Sequence, residues 1–282
     1  MKKKSIIKII ISVVLLLALT VVGIMVPHMF IEKISSKVSV SMHTDKAPLL
    51  VAHRGLSGLY PQNTLPAFEA AKEHGYFGYE LDIHTTKDGE WVVIHNDTVD
   101  TMTNGEGEVA EFTFEEIRKL KIDSGNGIEN YNDLIVPTLR ESLEIAKDSE
   151  IVPVIEIKNC DVKYLPELKE ILEEYSLSEK AVIISFNKDF LSKYRELDKE
   201  IEMFLLSSTP TKDDVDWCIE NGNTGLNFNY FNFYKSHKAV SYAKQKDLRL
   251  AAWTVDNTVY MDVMVLIGVE IITTNKILPQ ND

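Results

Sequence analysis

Over residues 49–273, short apolar runs alternate with longer amphipathic segments, and this alternation limits the available folds more than any other feature of the chain. Strands that take turns with helices pair in parallel, because each crossover has room for a helix, and the helices then cover the sheet. Barrel strands are predicted at 49–53, 78–84, 152–158, 181–186, 203–207, 224–227, 250–255 and 270–273. A further strand at 91–95 follows the turn Lys87-Asp88-Gly89 so closely that it should fold back as a hairpin. Helices are predicted at 64–73, 114–120, 139–147, 165–175, 188–197, 212–221, 235–245 and 257–266. The stretch 96–136 is rich in Gly, Asn and Asp with one short helix, and reads as an insertion after the second barrel strand. The 234 residues from Leu49 to Asp282 suit one TIM-type (β/α)8 barrel, for which ~250 residues is typical. Only Thr274 to Asp282 follow the last strand, too few for an eighth helix. The preceding linker covers that flank, or the barrel is open there.

The amino terminus carries a different signal. Lys2, Lys3, Lys4 and Lys8 precede a run, 9–31, with no Asp, Glu, Lys or Arg. At about 1.5 Å per residue, even 9–26 nearly crosses a hydrocarbon core of ~30 Å. Residues 1–31 therefore read as a cytoplasmic Lys-rich start and a single transmembrane helix, with the rest of the chain extracellular. A cleaved signal peptide competes, but Ala18-Leu19-Thr20 ends on a poor cleavage residue and the apolar run continues past it. Residues 32–48 are mostly polar and read as a linker to the domain at 49–282.

Composition excludes several function classes. At 45% hydrophobic and 26% charged residues the chain is neither disordered nor a multi-span transporter. Residues 1–46 hold seven Lys and two acidic residues, which leaves 23 basic against 41 acidic residues, a net of −18, for the remainder. A surface that acidic repels nucleic acid, though a metal ion could still supply local positive charge for a phosphate substrate. Cys160 and Cys218 form neither a zinc site nor a disulfide framework, and their spacing does not say whether they pair.

Chemistry-bearing residues gather where predicted strands end, the catalytic face of a barrel. His53-Arg54-Gly55 follows the first strand: an imidazole that exchanges protons near neutral pH, a guanidinium fork that fits phosphate, and a glycine that lets the backbone turn. Glu80 and Asp82 lie two apart on one strand, so they share a face, with Leu81 and Ile83 on the other. Two converging carboxylates repel unless a cation lies between them, and oxygen ligation suits Mg²⁺ or Ca²⁺ better than zinc. The hairpin returns His95 close to that pair. Glu156 and Lys158 share a face at the next strand end, offering a third carboxylate and a cation for phosphate.

His53-Arg54-Gly55, Asn63-Thr64, Glu80-Leu81-Asp82, Lys87-Asp88-Gly89, His95, Glu156-Ile157-Lys158, Ser185-Phe186 and Trp253-Thr254-Val255, in this order and spacing, resemble the glycerophosphodiester phosphodiesterase family. The resemblance runs from about Leu49 to Thr274. It implies a TIM-type barrel with a small insertion and one divalent metal, Ca²⁺ or Mg²⁺, on Glu80, Asp82 and Glu156. It also implies His53 and His95 as the acid/base pair, Arg54 and Lys158 on the phosphate, and Trp253 walling the pocket beside the glycerol. Asn63 joins the substrate-binding set as a supporting donor.

Three positions depart from the family pattern: Gln62 where Glu is usual, Asn96 between His95 and Asp97, and Thr274-Asn275 where the last strand often ends in Thr-Asp. The expected reaction is metal-dependent hydrolysis of a glycerophosphodiester, lysophospholipid or polyglycerophosphate to an alcohol and glycerol 3-phosphate, with His53 as base and His95 as acid. A lyase that releases a cyclic phosphate and a non-catalytic membrane-anchored lipid-binding barrel are the alternatives.

Overall fold

The computed structural model describes residues 47–279. The expected anchor at 1–31 and all but the last two residues of the linker lie outside the described residues. Among those described, no helix is long and apolar enough to cross a membrane.

Eight parallel strands close into a barrel: β1 (Leu49–Ala52), β2 (Gly78–Thr85), β4 (Val152–Asn159), β5 (Val182–Ser185), β6 (Glu202–Ser207), β7 (Thr224–Asn229), β8 (Leu250–Trp253) and β9 (Ile271–Thr274). Closure comes from β1, which pairs in parallel with both β2 and β9. The sheet is therefore not open at its last strand. The segment after β9 packs back instead, and the Tyr76 hydroxyl donates to the Ile277 carbonyl at 2.8 Å. The hairpin strand β3 (Trp91–Val93) runs antiparallel to β2 outside the ring.

The strands interleave with α1 (Leu65–Glu73), α2 (Phe114–Ile117), α3 (Leu139–Glu144), α4 (Leu165–Glu174), α5 (Lys188–Leu197), α6 (Lys212–Asn221), α7 (Phe233–Gln245) and α8 (Thr258–Ile267). Local sequence starts them. Thr113, Thr138 and Thr211 close capping boxes with Glu116, Glu141 and Asp214, while the Asn187 and Asn257 side chains accept from the first-turn amides of α5 and α8. Pro66 opens α1, where its missing N–H costs nothing.

Alternation along the strands divides the core. One set, including Val51, Val154, Ile184, Phe204 and Ala251, fills the barrel interior. The other, including Leu81, Ile83, Ile155 and Ile183, packs outward against the helices. Residues 96–136 form the insertion, tied by short bridges such as Thr98 with Glu108 and Lys121 with Ile135 over a small core of Val92, Ile94, Val99, Val109, Ile117 and Val136. Several predicted elements end early, among them α3 at Glu144 and β8 at Trp253. The α2 helix stops at Ile117, and His95 lies two residues beyond β3, whose antiparallel ladder to β2 ends at Val93 opposite Ile83.

Candidate active site

At the carboxyl end of the barrel the inward positions change from aliphatic to polar. On β2, Glu80 and Asp82 continue the inward row, and Asp82 pairs with Glu156 across the ladder to β4. The three carboxylates are buried, and one oxygen from each lies within 4.8 Å of the others. Burial, then Asp82 and Glu156, push the Glu80 carboxyl well above its ordinary range. Burial and Asp82 likewise raise Glu156, to about 7, against the pull of Lys158. Burial acts upward on Asp82 too, but Arg54, His95, Lys158 and the Asn63 hydrogen bond outweigh it and hold its carboxyl low.

This cluster fits a hard divalent cation. Its donors are all oxygen, Asp82 Oδ1 is buried without a hydrogen-bond partner, and the mutual repulsion that raises Glu80 would be relieved by positive charge between the groups.

Two cations already border it. Lys158 Nζ lies 2.8 Å from Glu156 and 3.7 Å from Asp82; burial depresses its ammonium, but these carboxylates raise it overall. The Arg54 backbone N–H donates to Glu80 at 2.7 Å, its Nε lies 3.4 Å from Asp82, and its Nη1 donates to Gln62 Oε1 at 2.7 Å. Gln62, where the family usually has Glu, thus supports Arg54 without neutralising it.

Asn63 is buried, and both ends of its amide serve Asp82: Nδ2 donates to the carboxylate at 2.7 Å and Oδ1 accepts the Asp82 N–H at 3.2 Å. Expected from the sequence as a supporting donor within the substrate-binding set, Asn63 gives that support to Asp82 through its side chain.

The two histidines bracket the cluster. His53 follows β1, and its N–H donates to the Thr274 carbonyl of β9 at 2.8 Å. Its ring Nδ1 meets Asn275 Oδ1 at 2.8 Å. Asn275 Nδ2 in turn donates to Asp256 at 2.6 Å, so the amide must present its oxygen to His53, and Nδ1 carries the proton. Nε2 is left with a free lone pair. Burial, then Arg54, lower His53 to about 4 despite the opposing Asn275 hydrogen bond. His95 follows β3, with Nδ1 at 2.6 Å from Asn96 Oδ1; burial lowers it while Asp82 pulls the other way. The inserted Asn96 therefore orients His95, and Asp97 lies instead 3.9 Å from His84.

Trp253 ends β8 at the lip, edge-on to Phe186 with ring centroids 5.7 Å apart. All nine residues predicted for the site gather at this end. Two that sequence reasoning missed are Asp256, which fixes Asn275 through two hydrogen bonds, and Asn227, buried beside Trp253 with Oδ1 unpartnered. The apolar β7 pattern around Asn227 was the available signal for an inward polar group; nothing in the spacing revealed Asp256.

A glycerophosphoryl diester phosphodiesterase family model matches residues 53–278. The chain belongs to that family. A glycerophosphodiester phosphodiesterase of Caldanaerobacter subterraneus subsp. tengcongensis is 37% identical over 231 residues, 80% of this chain and 93% of its own length. Human glycerophosphodiester phosphodiesterase 1 is 35% identical over 153 residues, 54% of this chain and 46% of that one. In fold, the chain matches an Oleispira antarctica phosphodiesterase solved with its product sn-glycerol-3-phosphate: TM-score 0.73 at 24% identity, covering 81% of this chain and 93% of that chain. This protein is accordingly a glycerophosphodiester phosphodiesterase, a hydrolase of phosphoric diesters.

Proposed function

We propose that the enzyme cleaves its diester to an alcohol and glycerol 3-phosphate, with Glu80, Asp82 and Glu156 holding one divalent cation and His53 and His95 transferring protons. The observation that carries this reading is the buried carboxylate cluster with its unpartnered Asp82 Oδ1, set between two histidines. The product bound to the Oleispira enzyme supports the glycerol 3-phosphate end.

Bound there, a Ca²⁺ or Mg²⁺ ion would supply charge stabilisation for the phosphoryl oxygens. The rest is the chain's own work. Arg54 and Lys158 bind and orient the phosphate. His53 Nε2, neutral because burial and Arg54 hold its pKa low, accepts the proton of the glycerol 2-hydroxyl or of water. His95 gives a proton to the departing alcohol oxygen, and the anionic phosphate beside it favours its charged form. Trp253 walls the glycerol side. The Lys-rich start and apolar run at 1–31 support a membrane location with this domain extracellular.

The test uses the full chain in phosphatidylcholine vesicles with glycerophosphocholine, and Ca²⁺, Mg²⁺ or chelator. Release of glycerol 3-phosphate is expected with cation and lost with chelator; equal release in chelator overturns the metal role. His53→Ala and His95→Ala should each lower turnover by about 10²–10⁴-fold. Near wild-type turnover in either would sink the acid/base assignment.

A further inference from the structure

Of the eight exposed large apolar side chains among the described residues, Leu59, Val162, Phe186, Phe231 and Leu278 lie in connections that follow barrel strands, and a sixth, Tyr234, lies in the first turn of α7 beside the connection after β7. In a parallel barrel every such connection emerges on the catalytic face. Only Leu197 and Ile219, in the last turns of α5 and α6, belong elsewhere. Single exposed apolar residues are ordinary on a protein surface, but their collection around one opening is not.

The strongest part of this rim follows β7. Phe231 is 73% exposed and Tyr234 61%. Tyr230 stands edge-on to Phe231 and 5.4 Å from Tyr260, while Phe186 and Trp253 form the neighbouring pair, so aromatic rings continue from the lip of the active site outward. Residues 221–234 contain no Asp, Glu, Lys or Arg, in a domain with 41 acidic residues. An aromatic projection of this kind, with the Lys235 ammonium 5.3 Å over the Tyr234 ring at its edge, matches the boundary between lipid head groups and acyl chains. An anionic surface would repel a domain of net −18, whereas a zwitterionic one would not.

We propose that this rim seats the catalytic mouth on a zwitterionic phospholipid surface, and that the enzyme takes its diester from a lysophospholipid lying in that surface. The proposal rests on the hydrolase reading above. With the glycerol against Trp253, an acyl chain on the adjacent carbon leaves the pocket past Phe186 and Tyr230 toward Phe231. Water adds to phosphorus, the phosphorus–oxygen bond to the head-group alcohol breaks, that alcohol departs with a proton, and a 1-acyl-glycerol 3-phosphate remains.

Two substrates with the same head group and scissile bond separate the seat from the chemistry: glycerophosphocholine in solution, and 1-acyl-lysophosphatidylcholine in phosphatidylcholine vesicles. Choline release is read from both, with the full chain. Phe231→Ser and Tyr234→Ser, remote from the reacting groups, should lower release from the vesicle-borne substrate by about tenfold and change release from glycerophosphocholine by less than about twofold. Loss of both rates together, or of neither, overturns the lipid seat, as does a wild-type chain that cleaves only glycerophosphocholine. A wild-type chain that releases choline from neither substrate overturns the hydrolase reading beneath it.

Discussion

The amide at 275 has two different neighbours, and that difference sets the chemistry of His53. Its nitrogen faces Asp256 and its oxygen accepts from His53 and from the Ser57 hydroxyl at 3.0 Å, so the ring is held in one tautomer with Nε2 free. Asn275→Leu keeps the volume and removes the acceptor. We expect kcat to fall by about 10–100-fold, as for other residues that orient a catalytic group, with KM little changed. An equal rise in KM would mean that Asn275 acts on binding instead. The neutral amide also adds no charge to the imidazole, whose pKa burial and Arg54 lower to about 4. At saturating cation, kcat/KM should therefore hold as the medium falls from about pH 7 to about pH 5. A base with an ordinary imidazole pKa of ~6.5 would lose roughly 20-fold over that span. His53 and Asn275 are both visible in the sequence, but their pairing across 222 positions arises only when β9 closes onto β1.

At the scale of elements, the turn after β1 makes a demand that only glycine meets. Gly55 has φ +74, and a Cβ there would stand 2.6 Å from the Ala67 backbone carbon and side chain. The turn brings α1 against the barrel mouth and delivers the Arg54 N–H to Glu80. Gly55→Ala should cost at least ~1–3 kcal/mol for the left-handed conformation alone. Each kcal/mol lowers Tm by about 2–4 °C in a domain of this size. An unchanged Tm would show that the turn relaxes freely. Strand and helix order could be read from the sequence, since apolar period and caps are local. The exact end of β3 could not, because it depends on where its antiparallel ladder with β2 stops, at Val93 opposite Ile83.

For the whole molecule, the cost of gathering three carboxylates should appear in stability. The folded pKa values of Glu80 and Glu156 lie above those of an unfolded chain, Glu156 at about 7 against 4.5. Through these two carboxylates the native metal-free state binds more protons than the unfolded state, so their share of stability falls as pH rises through that window, while His53, His84 and His95, lowered by burial, act the other way. The Tm advantage of protein saturated with Ca²⁺ or Mg²⁺ over chelated protein should therefore widen between about pH 5 and pH 7.5, because cation binding to the folded state relieves the carboxylates and stabilises it. Parallel pH curves with and without cation would remove the carboxylates as the source.

The sequence by itself determined the alternation of strands and helices, the shared face of Glu80 and Asp82, and the motif set that places the chain in its family. Those features rest on local periodicity and on residue types held close along the chain. Only the tertiary structure decided the barrel's closure through β1 pairing with both β2 and β9, the tautomer of His53, the commitment of Asn63 to Asp82, and the gathering of Phe186, Phe231 and Tyr234 around one opening. Each depends on which strand ends become neighbours in the closed ring, a long-range outcome that the spacing of residues along one chain does not encode.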